Sequence, residues 1–327
     1  MSHRKDIDYL AVSARIRAME NRLLTRDRMD RMIEARDEAE AMKILSECGY
    51  PEGNGLEQVL TLVRADTFHD LSRAVPDGRL VDIFRLKYDY HNGKTILKAQ
   101  AKGVDARRLL LPGGRWDGED LLERWRREDL RGCTTVFRRA MEQASAALAE
   151  NGDPQQADLI LDRACYEEMT ALARQLESPF LQGYVRLSVD VANLRTAVRV
   201  YRMGLEGDFL RQALIPGGNV SEQTLSAARG ESLGELFRTG LLAQAAELGV
   251  KAAQPGGGGL TAFEKACDDA LTAYLANARL VAFGMEPVIG YLHAKEAELT
   301  AIRTIFAGRA AGLDGDTIRQ RLRETYG

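Results

Sequence analysis

Residues 180–204 read FLQGYVRLSVDVANLRTAVRVYRMG. Within them Phe180, Tyr184, Leu187, Val191, Leu194, Val198 and Tyr201 recur at alternating intervals of four and three residues. A period near 3.5 lays them along one seam of an α-helix and predicts packing along its whole length. The valines are β-branched and favour strands, but the period-two alternation of a half-buried strand is absent. Gly204 closes the helix, because glycine enters the left-handed cap conformation without a steric penalty.

The same periodicity extends outward in both directions. Tyr9, Val12, Ile16, Met19 and Leu23 form a narrow apolar stripe on an opening helix. Asp37 and Glu40 stand at capping-box spacing before AMKIL, and Gly49 with Pro51 stops that helix. Further helices are predicted over residues 56–71, 80–102, 118–130, 133–149 and 157–176. Glycine and proline mark the loops LLLPGGRW, LIPGGN and QPGGGG. The last, residues 254–259 with Gly256 to Gly259 at its core, reads as a linker. A phosphate loop there would need a preceding strand and a following Gly-Lys-Ser/Thr, and both are missing.

The seam helix has two relatives in the chain. DYHNGKTILKAQAKG (89–103), DVANLRTAVRVYRMG (190–204) and ELTAIRTIFAGRAAG (298–312) align without gaps. The alignment superposes Asp89, Asp190 and Glu298; Lys94, Arg195 and Arg303; Thr95, Thr196 and Thr304; and Gly103, Gly204 and Gly312. The preceding helix repeats too, as LDRACYEEM and FEKACDDAL, with LEQVLTLVRADTF a weaker counterpart. Copies about a hundred residues apart are far longer than solenoid repeats. They predict an all-α chain of three similar units, 1–116, 117–220 and 221–327, meeting near Trp116–Asp117 and Val220–Ser221. On the helical wheel Asp190 and Arg195 flank the seam on opposite sides. One expectation is that the acid of one unit faces the base of the next as a repeated clamp. The other is that these charges line a partner's socket.

The composition excludes several functions. A net charge of −3 on 327 residues gives no reason to bind nucleic acid. No window approaches the ~18–20 apolar residues of a membrane span, and MSHRKDIDYL carries no apolar run of signal-peptide type. Cys48, Cys133, Cys165 and Cys267 lie far apart and outside any CxxC pair, which predicts reduced, buried thiols in a cytosolic protein. His3, His69, His91 and His293 form no HExxH or HxH, so no metal site is expected. Nucleophile-elbow, dinucleotide and Walker signatures are absent, so neither catalytic residues nor a cofactor is expected. Asp268 and Asp269 resemble a fragment of the aspartate-rich helices of isoprenoid enzymes, but Thr272 stands where a third carboxylate would project. The arginine-rich runs RWRRED and IRQRLRETY alternate with acids, as solvated helix faces do.

Several stretches taken in order resemble the C subunit of bacterial and archaeal V-type (A-type) ATPases, in the family that includes the eukaryotic d subunit. They are YLAVSARIRAMENRLL, FRLKYDYHNGKTILKAQ, YVRLSVDVANLRTAVR followed by LIPGG, FEKACDDALTAYL, FGMEPVIGYLHAKEAELTAIRTI and IRQRLRETYG. The resemblance spans essentially the whole chain; QPGGGG alone matches no family feature. It implies three helical domains arranged as a funnel with pseudo-threefold symmetry. It further implies a non-catalytic, peripheral protein on the cytoplasmic face of the cell membrane. There it would join the D and F central-stalk subunits to the proteolipid rotor ring, passing rotation between the ATPase head and a proton- or sodium-translocating ring. Its contact with the membrane would be indirect, through those partners. An unrelated cytosolic helical scaffold and, further off, an isoprenoid-type helical enzyme are the competing expectations.

Overall fold

The structure is a computed structural model and describes residues 6–205, 207–254 and 256–325. His3, Pro255 and Tyr326 lie outside them. The described residues contain helices and loops and no strand. In chain order the α-helices are α1 (Leu10–Glu20), α2 (Arg26–Ile33), α3 (Glu38–Glu47), α4 (Leu56–Ala74), α5 (Arg79–Lys102), α6 (Gly118–Arg126), α7 (Thr135–Asn151) and α8 (Pro154–Gln175). They continue with α9 (Pro179–Arg202), α10 (Asp208–Ala213), α11 (Glu222–Ala227), α12 (Glu231–Leu236), α13 (Ala243–Ala253), α14 (Thr261–Ala276), α15 (Met285–Ala310) and α16 (Gly315–Arg321).

Local chemistry sets the ends of these helices. Ser178 caps α9 by accepting the Leu181 N–H, and Pro179 occupies the first helical position, where a missing N–H costs nothing. Asp37 caps α3 by accepting from Glu40, while the Glu40 carboxylate turns back to the Arg36 N–H, one residue earlier than a capping box places it. The helix predicted over 118–130 stops at Arg126, because Glu128 takes a left-handed φ of 55° and the Asp129 N–H bonds the Arg124 carbonyl. The three aligned glycines close their helices identically. Gly103, Gly204 and Gly312 have φ of 65°, 69° and 69°, and the next N–H reaches back to Ala99, Val200 and Gly308 respectively.

The long helices α5, α9 and α15 organise the core, and burial goes well beyond a single seam. In α9 the buried set adds Val185, Val189 and Val200 to the predicted stripe, because neighbours surround the helix. The first halves of α5, α9 and α15 meet in one central cluster with α1 and the ends of α4, α8 and α14; Ile16, Leu80, Leu181 and Leu292 belong to it. Their second halves diverge into three lobes. The second half of α5 packs with α6, α7 and α8 around Phe137 and Leu161. That of α9 packs with α10 to α14 around Leu210 and Phe263. That of α15 packs with α2, α3, the start of α4 and α16 around Met32 and Leu60. Each long helix is therefore shared between the centre and the lobe that follows it, and the third handover runs from α15 back to the first residues of the chain.

Truncating one of these wholly buried side chains to alanine costs about 2–5 kcal/mol, depending on how far the site can collapse.

Candidate functional site

Near its middle each long helix carries a buried carboxylate: Asp89 on α5, Asp190 on α9 and Glu298 on α15. Each accepts a backbone N–H from the segment entering the next lobe. Asp89 accepts from Arg115 at 2.8 Å and Trp116 at 3.4 Å, Asp190 from Val220 at 3.1 Å, and Glu298 from Leu24 at 2.5 Å. The receiving segments lead directly into the helix caps Asp117, Ser221 and Thr25. The aligned acids thus do one job three times, and the third time they close the molecule across 274 positions of sequence.

The first two copies add a second anchor. Asn92 and Asn193, both buried, exchange paired hydrogen bonds with the backbones of Leu111 and Ile215. Each of those residues opens a Pro-Gly-Gly turn whose last glycine, Gly114 or Gly218, lies where a Cβ would strike the Asp89 or Asp190 carboxylate. This is why the repeated loops end in glycine. The third copy has Ala301 at the asparagine position. Glu298 compensates with further partners, the Tyr50 hydroxyl and Lys295 at 2.5 Å. Burial raises the Asp190 carboxyl above its ordinary range, and lifts Asp89 to about 6 against the pull of Arg115.

The expected clamp between aligned acids and bases does not form, since those acids are taken up by backbone N–H groups. The bases instead meet the acids of the second repeat. Lys94 pairs with Asp162 at 2.5 Å, Arg195 with Glu264 at 2.6 Å, and Arg303 with Glu57 at 2.7 Å. Asp162, Glu264 and Glu57 hold matching places in LDRAC, FEKAC and LEQVL, so the weak third match has a physical counterpart. Every pair ties a long helix to the last outer helix of its lobe.

The acids considered as ligands are held by cations. Asp268 receives Arg195 and Arg323, both at 2.7 Å, and Asp269 receives Lys265 and the Glu324 N–H, also at 2.7 Å. Among the described residues no group of His, Cys, Asp or Glu is placed to hold a metal ion. Cys133, Cys165 and Cys267 are buried thiols, with Cys267 pushed up to about 12 by desolvation, while Cys48 is partly exposed. His69 and His91 are exposed; His293 is partly buried, its Nε2 3.1 Å from the Thr272 hydroxyl. In the QPGGGG linker Arg202 bonds the Gly258 carbonyl at 2.6 Å.

Most of the exposed large apolar side chains lie near the ends of the long helices, with Leu62 on α4 and Leu241 before α13 standing elsewhere. Leu280, 85% exposed, and Phe283 precede α15, beside Ile7 and Leu10 at the start of α1. Those two segments are joined by Ser13 to Gly284 and by Arg17 to the carbonyls of Ala278 and Val281. At the far ends stand Val104 and Leu109 after α5, and Met203 and Leu205 after α9. Such side chains, set apart at two ends of a packed body, suit docking rather than chemistry.

Comparison with known proteins identifies the family. A family model described as ATP synthase (C/AC39) subunit matches residues 12–321. The chain is 24% identical to the C subunit of the V-type sodium ATPase of Enterococcus hirae, over 98% of this chain and 99% of that protein. It is 29% identical to the C subunit of the A-type ATP synthase of Haloferax volcanii, over 82% and 80% of the two chains. With the C subunit of the V-type ATP synthase of Thermus thermophilus it shares 28% identity, over 62% of this chain and 66% of that protein.

Proposed function

The chain belongs to the ATP synthase (C/AC39) subunit family, and on that premise we propose that it is the central-stalk C subunit of a rotary V- or A-type ATPase. It joins the D and F stalk subunits to the membrane ring of proteolipid subunits and transmits torque between them. The family is non-catalytic, and the ion pairs at Asp268 and Asp269 support that reading against a diphosphate-binding enzyme. The observation that carries the proposal is a set of long helices sharing one core, with exposed apolar side chains near both of their ends. A coupler needs one surface for each neighbour, and each interface should exceed ~1,000 Å² in total.

Among the described residues no helix is long and apolar enough to cross a membrane. Attachment in this reading runs through the ring, on the cytoplasmic face. The three sequence units, 1–116, 117–220 and 221–327, build the funnel by handover, each lending the second half of its long helix to the next lobe. Convergence of the helix starts in one cluster and divergence of their ends supports that shape.

Affinity capture of the tagged chain from detergent-solubilised membranes, with subunits identified by mass spectrometry, tests the proposal. Recovery of D, F and the proteolipid together is the expected result. A chain recovered from intact membranes without any rotor subunit overturns it.

A further inference from the structure

The three lobes share the carboxylate anchor but differ in how the groove beside the long helix is filled. In the α15 lobe the groove between the long helix and α2 is filled by α16, whose Ile318 lies against Gly308. There Arg319 pairs with Asp30 at 2.8 Å and with Glu34, just past the end of α2. In the α9 lobe the corresponding groove, between α9 and α11, is filled by α10, with Leu210 wholly buried. In the α5 lobe no helix fills it. Leu111 lies eight residues beyond Gly103, whereas Ile215 lies eleven beyond Gly204, so the connection is three residues shorter and holds only a 3-10 turn, Arg107–Leu109. A cleft of about 860 Å³ remains between α5, α6 and α7.

Register from the shared anchors identifies its walls. The caps Thr25 and Asp117 are equivalent, as are Gly312 and Gly103. Leu122, Trp125 and Arg126 of the cleft therefore stand where Asp30, Ile33 and Glu34 stand in the α15 lobe, and Ala99 stands where Gly308 does. These are the positions α16 touches in its own lobe. The charge is changed, however: Glu34 becomes Arg126, whose one carboxylate partner among the described residues is the partly exposed Glu123 of its own helix at 2.9 Å, and Asp30 becomes Leu122; Arg126, Arg131 and Arg138 outnumber Glu128 and Glu142 on the walls. Arg138 of α7 also lines the cleft, half-buried and with no ion-pair partner among the described residues.

We propose that this cleft is a docking socket for a short amphipathic helix of a partner protein, one that sets an aliphatic side chain on Ala99 and an acidic side chain against Arg126 and Arg138. The other two lobes supply the same helix from within the chain, which fixes the kind of occupant. The reversal at Arg126 fixes its charge, and it disfavours α16 of a second copy, whose Arg319 would face Arg126. The inference does not depend on the rotor reading.

The test uses the full chain with Trp116→Phe, which leaves Trp125 in the cleft wall as the sole tryptophan. The probes are stapled helical peptides of residues 312–325, one native and one carrying Arg319→Glu; stapling is needed because peptides this short are marginal helices in water. The expected result is a saturable change in Trp125 emission with the Arg319→Glu peptide and about tenfold weaker binding of the native one. Arg126→Glu in the chain should reverse that order. No saturable change with either peptide, a preference for the native one, or affinities indifferent to Arg126→Glu overturns the proposal.

Discussion

Arg195, Lys94 and Arg303 perform one task at three equivalent places under different burial, so truncating each to alanine isolates burial as the variable. In the Arg303–Glu57 pair the side chains are 43% and 66% exposed. Solvent screens such a pair, and its loss should cost ~0–0.5 kcal/mol. Lys94 and Asp162 are 22% and 45% exposed, for a cost of ~0.5–1 kcal/mol. Arg195 is 23% exposed and Glu264 19%, and Arg195 also holds Asp268 at 2.7 Å and the Glu264 carbonyl at 3.1 Å. Its removal takes one of two cations from each carboxylate, since Glu264 keeps Arg199 and Asp268 keeps Arg323, both at 2.7 Å. That places Arg195→Ala at ~1.5–3 kcal/mol, below the ~3–5 kcal/mol of a fully buried pair broken on one side. Equilibrium urea unfolding of the three variants, with unchanged m-values as the check on two-state behaviour, gives the ladder. Three equal losses, or Arg303→Ala as the largest, would refute burial as the determinant. If Arg195→Ala left stability unchanged and weakened stalk binding, Arg195 would belong to the stalk socket instead.

Glu298→Ala strands the Leu24 N–H, the Tyr50 hydroxyl and Lys295, and should cost ~3–5 kcal/mol, while Glu298→Gln, which keeps an acceptor, should cost less than half as much; urea midpoints decide. Gly218→Ala forces the Asp190 carboxylate off the Val220 N–H and should lower stability by ~2–3 kcal/mol, whereas Gly259→Ala, with open space around it, should be near neutral; thermal midpoints of the two variants check the contrast. His293 sits with its pKa depressed to about 4 by burial, helped by Lys87 and opposed by Asp268 and Glu296. The unfolded chain takes up that proton near pH 6.5, so the neutral imidazole's contribution is complete above about 6.5 and is lost as pH falls toward 4. The loss is on the order of 2–3 kcal/mol, and His293→Gln should flatten the stability profile across that window, as measured by midpoints at about pH 7 and pH 4.5.

The long helices were legible because their signals are local. The seam from Phe180 to Tyr201, Pro179 at the first helical position and Gly204 at the cap all act within a few residues of one another. Gap-free alignment of Asp89, Asp190 and Glu298 made the repeat visible. Partner identity was not legible, because it is settled across great sequence distance. Nothing near Arg303 announces Glu57, 246 positions away, and the LEQVL match is too short to nominate it. The short helices α10, α11 and α12, each under two turns, carry too few periodic positions to stand out and are held by tertiary packing. The empty cleft is a difference between lobes, so it emerges only when their grooves are compared.

The closing bond from Leu24 to Glu298 has a consequence for biosynthesis. Residues 24–60 leave the ribosome well before α15, yet Met29, Met32, Ile33, Leu45 and Leu60 complete their core only against Leu299, Ile302 and Ile305. The α5 and α9 lobes have their partners close behind them in the chain and can assemble in passing. That segment must wait, apolar face uncovered, until α15 has emerged, and contacts of such separation are slow to form and open to misassembly meanwhile. Chaperone demand and sensitivity to translation rate should therefore concentrate on residues 24–60, while the α5 and α9 lobes are already shut.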